Sequence, residues 1–117
     1  MSHPPRTITL GEIATVRSGD KGNHANLGVV ARTQAGFAYL QIELTEERVF
    51  DYFAGLGLTK VMRYELPRVG ALNFLLYEAL GGGASQSLRI DTQGKLLGTA
   101  ALELELPRPK NLDDMTR

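Results

Sequence analysis

The segment R-S-G-D-K-G-N-H-A-N, residues 17–26, separates two apolar segments and decides how the first part of the chain folds. Residues 7–17 are rich in β-branched side chains and are interrupted near Gly11, and residues 25–31 read A-N-L-G-V-V-A. Glycine, aspartate and asparagine favour turns because they tolerate or stabilise turn backbone conformations. The pattern predicts a hairpin with a glycine-rich loop at its tip. Its second strand, residues 25–31, is expected to be buried on both faces.

The middle of the chain is predicted to hold two helices and one strand. Thr45 is suited to cap a helix that begins with two acidic residues and ends near Gly55. Residues 60–66 alternate in side-chain character and end at a proline, which indicates a strand. Residues 70–80 are almost wholly apolar, and their length and their alanine and leucine content favour a second helix.

The last third of the chain is predicted to form a second hairpin. Residues 87–91 and 95–106 are assigned to its strands, and D-T-Q-G at residues 91–94 to its turn. In the second strand the leucines are expected to face the core and the glutamates the solvent: Leu102, Leu104 and Leu106 against Glu103 and Glu105.

The resulting element order, β-β-α-β-α-β-β, implies an α+β fold. It predicts a two-layer sandwich in which a mixed sheet of about five strands carries two helices on one face. Residues 7–106 are assigned to a single domain, with a flexible N-terminal tail at residues 1–6 and a C-terminal tail at residues 107–117. The chain of 117 residues is long enough to bury its own core.

Composition excludes several classes of function. The 13 basic residues balance the 13 acidic ones, so no field of one sign attracts nucleic acid, and no nucleic-acid partner is expected. The chain has no apolar run of about 18 residues and no signal peptide, which argues against a membrane protein. Without cysteine it can form no disulfide, which fits a cytoplasmic location. Two histidines are too few for a typical catalytic zinc, and neither a metal nor a cofactor is expected.

The predicted topology brings two glycine-rich loops to one rim of the sheet. Right-handed crossovers through the helices would make the strands parallel, so the loops at residues 19–23 and 81–83 would lie at the same end. Glycine amides can form an anion-binding nest, and Arg17 and Lys21 can neutralise a carboxylate or phosphate. The candidate ligand-binding residues are Arg17, Ser18, Gly19, Asp20, Lys21, Gly22, Asn23, His24, Asn26, Asn73, Gly81, Gly82 and Gly83.

A purely structural interpretation of these residues stays open. Turn-forming residues cluster in turns without binding anything, and a triple glycine ends a helix. Asn73 interrupts an apolar segment, so it is expected to be buried and bonded to the backbone of residues 17–26. Asp20 and His24 could exchange a proton, and Arg63 is expected to be an outward-facing charge. No P-loop, G-x-G-x-x-G or G-x-S-x-G motif is present, so the sequence leaves catalysis undecided and names no catalytic residue.

Several short motifs, in order, resemble one known family. After R-S-G-D-K-G-N-H-A-N come L-T-E-E-R-V (44–49), V-M-R-Y-E-L-P (61–67), A-L-N-F (71–74), L-G-G-G (80–83), S-L-R-I-D (87–91) and Q-G-K (93–95). The combination is similar to the C-terminal domain of the acyclic terpene utilisation protein AtuA family, a ferredoxin-fold domain that also occurs as a free-standing chain.

The resemblance implies an association with bacterial breakdown of acyclic terpenes through acyl-CoA intermediates, and it carries no catalytic residues. Since the long N-terminal region of the larger members is missing here, an accessory or assembly domain is expected. It would form a homo-oligomer or bind a larger AtuA-type partner. The alternative is a domain that binds or converts an anionic, acyl-CoA-like small molecule through residues 17–26.

Overall fold

The computed structural model describes residues 6–79 and 95–116, apart from the side chains of Asp20, Lys21, Lys95 and Leu96. The strands of this part are β1 (Thr7–Thr9), β2 (Ala14–Lys21), β3 (His24–Ala31), β4 (Lys60–Leu66), β5 (Ala71–Tyr77) and β6 (Glu105–Pro107). Its α-helices are α1 (Gln34–Glu43), α2 (Glu46–Tyr52) and α3 (Lys95–Leu102).

Among the described strands, the main sheet has four in the order β2-β3-β5-β4, and β1 pairs with β6 in a separate two-stranded sheet. Every pair in both sheets is antiparallel. Strands β3 and β4 are therefore parallel to each other, as the crossover rule predicts, but β5 lies between them. This is the split β-α-β arrangement of ferredoxin-like folds. The α+β class is confirmed. Within the described residues the main sheet has four antiparallel strands, where a mixed sheet of about five was expected, and the strand predicted at residues 87–91 lies outside them.

The core lies between the main sheet and the helices. α1, α2 and α3 contact β3, β4 and β2, respectively. The inward side chains of the two central strands are fully or almost fully buried: Ala25, Leu27, Val29, Leu72, Phe74 and Leu76. Their alternation with more exposed neighbours shows that β3 is buried on one face only, and not on both as its apolar sequence suggests.

The first hairpin and the helix capped by Thr45 are confirmed. β2 and β3 pair without interruption from Ala14↔Ala31 to Lys21↔His24. The Thr45 side chain accepts a hydrogen bond from the Arg48 amide at 3.1 Å, and so caps α2 as predicted.

Two segments fold differently from their prediction. Residues 70–80 do not form a helix: β5 is a strand whose apolar residues lie on both sides, which removes the alternation that identifies strands. Residues 95–106 are not one strand, because α3 ends at Leu102 and only Glu105–Pro107 is extended. Leu104 and Leu106 are nevertheless buried, whereas Leu102 is half-buried.

The helix α1 was not predicted from the sequence. Thr33 caps this helix by accepting a hydrogen bond from the Gly36 amide at 3.0 Å. Its pattern is poor for an amphipathic helix, because Ile42 is 73% exposed. The helix is held instead by the burial of Phe37 and Leu40 against the sheet.

The C-terminal segment is packed on the domain, which corrects its assignment to a tail. Leu112–Met115 forms a 3-10 helix, and Met115 is buried. The Thr33 hydroxyl donates to the Asp114 carbonyl at 2.7 Å. At the other end, the Arg6 carbonyl accepts a hydrogen bond from the Arg108 amide, and residues 1–5 lie outside the described part of the chain. The strand predicted at residues 87–91 and the turn at residues 91–94 also lie outside it.

Replacement of Gly98 by valine should lower the free energy of unfolding by about 1–3 kcal/mol, because it overpacks the contact between α3 and β2. The Gly98 amide donates to the Ser18 hydroxyl at 3.0 Å, and a Cβ on Gly98 would lie 2.9 Å from that oxygen. Urea denaturation measures the loss. Ala38→Val, on the exposed side of α1, is the control for valine in a helix and should cost less than about 1 kcal/mol. Equal losses would show that the contact does not require glycine.

Candidate functional site

One face of the main sheet carries no helix of the described residues, and we call it the open face. Side chains alternate between the two faces of a strand, so the positions between the core residues point to this side. The open face consists of Thr15, Arg17, Gly19, Lys21, His24, Asn26, Gly28, Val30, Lys60, Met62, Tyr64, Leu66, Ala71, Asn73, Leu75 and Tyr77. None of these positions is acidic, although the whole chain has zero net charge.

Besides Lys21, five of the predicted site residues share the open face: Arg17, Gly19, His24, Asn26 and Asn73. Gly19 is paired with Asn26, and Gly28 lies between Arg17 on one neighbouring strand and Asn73 on the other. Asn73 is half-buried and lies on a strand, not inside a helix. Within the described chain no hydrogen bond joins its side chain to residues 17–26, so the expected connection is absent there.

The other predicted residues do not form the expected loop, and Lys21 occupies the open-face position of β2 opposite His24. Ser18 faces the core, where its hydroxyl accepts the hydrogen bond from Gly98. Asp20 and Lys21 belong to β2, so the expected loop shrinks to a two-residue turn of Gly22 and Asn23. Gly22 has a φ of 66°, as the first position of a tight hairpin turn requires. A backbone nest over residues 19–23 is therefore wrong. The predicted contribution of Gly81, Gly82 and Gly83 lies outside the described residues.

His24 fastens the chain where it leaves β5. Its Nδ1 accepts a hydrogen bond from the Glu78 amide at 3.0 Å, and Glu78 has a φ of 67°. The imidazole lies 4.8 Å from the Tyr77 ring, and the Lys60 ammonium lies 4.9 Å from the centroid of the same ring. The His24 side chain thus joins the start of β3 to the backbone that follows β5.

Arg63 has a structural role, and its prediction as an outward-facing charge is wrong. It does not point outward as a free charge, because its Nη1 donates to the carbonyls of Gln41 and Leu44 at 3.0 and 2.9 Å. Its Nη2 forms an ion pair with Glu65 at 3.0 Å. The guanidinium thereby ties β4 to the connection between α1 and α2, where helix carbonyls need donors.

A surface cavity of about 530 Å³ lies beside Arg63. Besides this arginine it is lined by one threonine and three glutamates: Thr45, Glu46, Glu47 and Glu65. The Glu46 carboxylate accepts a hydrogen bond from the Arg63 backbone amide at 2.7 Å. Since the arginine is already bonded and the other charges are negative, this cavity does not suit an anion.

Exposed apolar side chains gather at the end of the open face away from the hairpin turn. Val30, Tyr64 and Leu66 are 38%, 46% and 48% exposed, and Val69, in the following 3-10 helix, is 64% exposed. The alternation of residues 60–66 was visible in the sequence. It does not show which set faces the core, because the more apolar set, Met62, Tyr64 and Leu66, points away from it.

Two tyrosines on the helix side have raised pKa values. Burial and the nearby Glu43 raise the pKa of Tyr39 to about 12, and burial also raises the pKa of Tyr52. The Tyr52 hydroxyl donates to the Ala100 carbonyl at 2.6 Å, and the Tyr39 hydroxyl donates to the Pro107 carbonyl. Both hydroxyls stay protonated at neutral pH and hold separate segments together.

The described residues contain no group of three His, Asp or Glu side chains placed to hold a metal ion. In that same part of the chain, every helix is too short or too polar to span a membrane.

Comparison with known proteins identifies the domain. Neither the curated proteins nor the solved structures contain a match to this sequence. The family model of the AtuA ferredoxin-like domain matches residues 8–107, in agreement with the resemblance and with the ferredoxin-like sheet. This match spans most of the sequence, and the chain belongs to the AtuA ferredoxin-like domain family.

Proposed function

We propose that this chain is a small accessory domain that docks on a larger AtuA-type protein through the apolar end of its open face. The supporting observation is the exposure of Val30, Tyr64 and Leu66 at this end of the open face, where they are 38%, 46% and 48% exposed. Clusters of exposed apolar side chains on a small domain mark interaction surfaces, because burying them in a complex removes them from water.

The edge of the sheet is a poorer docking surface than its face. Among the described strands β4 lies at the edge of the sheet, and edge strands bind partners by pairing their free backbone groups. The Arg63 amide of β4 is already bonded to the Glu46 carboxylate at 2.7 Å. A partner strand would have to displace that carboxylate, whereas contact through the face displaces only water.

The proposed setting is the one that the family resemblance implies, bacterial catabolism of acyclic terpenes through acyl-CoA intermediates in the cytoplasm. In this setting the small domain assists a larger protein and does not need a catalytic group of its own. A homo-oligomer is the competing assembly, and the same measurement distinguishes it from the hetero-complex.

Leu66→Glu should weaken the complex with an AtuA-type protein from the same genome at least tenfold, because a charge would be buried in an apolar contact. Size-exclusion chromatography with light scattering gives the assembly masses of each protein alone and of the mixture, and a binding titration gives the affinity.

Ile42→Glu is the matched control, because Ile42 is 73% exposed on α1, which belongs to the opposite layer. It should leave the complex intact. Absence of any complex, or equal weakening by both substitutions, would contradict the proposal. A homo-oligomer that Leu66→Glu dissociates, without a hetero-complex, would assign the surface to self-association.

A second candidate function is the binding of an anionic, acyl-CoA-like small molecule. The observation that favours it is the position of Arg17, Asn26 and Asn73 on the open face, where none of the described strand positions is acidic. A thermal-shift screen with CoA esters, carboxylates and phosphates tests it. A ligand at about 100 times its dissociation constant adds about 2.7 kcal/mol of stability, which raises the melting temperature measurably.

A further inference from the structure

Two glycines occupy the interior of neighbouring strands on the open face, Gly19 in β2 and Gly28 in β3. Glycine weakens a strand, because it loses more backbone entropy on folding and contributes no side chain to the sheet. A glycine within a strand therefore requires a reason, such as a special backbone conformation, a bulge, or the close approach of another group.

The backbone does not require these glycines. The glycines with positive φ in the described chain are Gly22, Gly57 and Gly70, and neither Gly19 nor Gly28 is among them. The register between β2 and β3 is continuous, so neither position is a bulge.

Packing among the described residues does not require them either. A Cβ on Gly19 would have no neighbour within 4 Å, and a Cβ on Gly28 would make ordinary contacts, 3.8 Å from the Asn73 side-chain oxygen and 3.9 Å from the Arg17 carbonyl. Gly98 is different, since a Cβ there would lie only 2.9 Å from Ser18. The two strand glycines thus leave a shallow trough, one side chain deep, on the open face.

Polar side chains border this trough. Arg17 is exposed beside it, Asn26 is paired with Gly19, and Asn73 is paired with Gly28. Among the described side chains no acidic group pairs with the Arg17 guanidinium, and none forms a hydrogen bond with the side-chain amide of Asn26 or Asn73. The trough therefore offers one cation and two amides, which together donate hydrogen bonds to an oxyanion.

We propose that the trough binds a small flat molecule that carries one carboxylate or phosphate group. The oxyanion lies against Arg17 and Asn26, and the flat part rests on the peptide planes of Gly19 and Gly28. Tyr64 stands at the far end of the row formed by Arg17, Gly28 and Asn73. Gly28 lies two residues after Asn26, the partner of Gly19, so the two glycines are diagonal neighbours about 7–8 Å apart. This site rests on the second candidate function, narrows its ligand class, and does not depend on docking.

The test is a titration of the ¹⁵N-labelled full chain followed by amide NMR. Benzoate and phenyl phosphate are flat probes with the two kinds of oxyanion, and cyclohexanecarboxylate has the charge without the flatness. The amides of Gly19 and Gly28 should shift saturably with at least one flat probe, with a dissociation constant of about 1 mM. Cyclohexanecarboxylate should bind at least about threefold more weakly. No saturable shift with either flat probe, or equal binding of cyclohexanecarboxylate, would overturn the proposal.

The Gly28→Val variant distinguishes a loss of ligand binding from a loss of the folded structure. Valine favours strands, so this variant should melt at the same or a higher temperature while it fills the trough and abolishes binding. Arg17→Gln should weaken binding about tenfold. The controls are Gly55→Ala, at an exposed glycine with free space around it, and Arg68→Gln, at an exposed arginine after β4.

Wild-type affinity in a folded Gly28→Val protein would rule out the trough as the site. Saturable binding that does not shift the Gly19 and Gly28 amides would retain ligand binding but overturn this location. Loss of docking in Leu66→Glu with an unchanged benzoate titration would leave the trough in place.

Discussion

Leu76→Ala should lower the free energy of unfolding by about 2–5 kcal/mol, whereas Leu75→Ala should cost less than half as much. Leu76 is fully buried on the core face of β5, and Leu75 is half-buried on the open face. Both substitutions remove the same atoms from adjacent positions of one strand. The difference therefore reports which face each side chain occupies. Urea denaturation at a constant m-value measures it.

Leu72→Ala is the second test of the same strand, since Leu72 is also fully buried and lies four residues before Leu76. It should resemble Leu76→Ala. Equal losses at Leu75 and Leu76 would contradict the strand and its register, and would favour an element that is buried all round.

Arg63→Gln should cost about 2–4 kcal/mol, because it removes charge-assisted hydrogen bonds to the carbonyls of Gln41 and Leu44. These carbonyls belong to the end of α1 and the residue after it, and they would lose their donor. Thermal and urea unfolding measure the loss. Arg63→Lys should lie between the wild type and Arg63→Gln, because an ammonium cannot bond both carbonyls with the geometry of a guanidinium.

Two controls separate the hydrogen bonds from the ion pair. Glu65→Gln removes the charge that faces the Arg63 guanidinium and should cost less than about 1 kcal/mol, since the Glu65 side chain is 40% exposed. Arg68→Gln, at an exposed position, should change stability by less than about 0.5 kcal/mol. A loss at Glu65 as large as the loss at Arg63 would show that the ion pair, and not the pair of carbonyls, carries the stability.

The elements that could be predicted are those with local signals. The hairpin turn at Gly22, the capping residue Thr45 and the proline after β4 each determine a boundary through nearby chemistry. β5 could not be assigned in this way. Its outer face is itself partly apolar, so polar and apolar residues do not alternate along the strand. The strand prediction for the residues before Leu104 was wrong for another reason. The alternation of leucine and glutamate belongs to β6, and the predicted strand was extended backward over residues that form the end of α3.

The sequence indicated which residues to consider for the candidate site, but it did not predict how they are arranged. Glycine and aspartate at residues 19 and 20 suggested a loop, but pairing with β3 keeps these residues extended. Alternate positions of two strands then bring Arg17, Gly19 and Asn26 to one face. No local signal in the sequence could place Asn73 beside them, because its position depends on the insertion of β5 between β3 and β4.

The pairing of β1 with β6 joins the two ends of the domain. Thr7 is the partner of Pro107, so the first and last strands of the described chain lie side by side. Domains with adjacent ends can be inserted into a loop of another protein, or attached to its terminus, without rearranging either partner. Attachment of another protein chain before Thr7 would therefore begin beside β6 and would leave the main sheet unchanged.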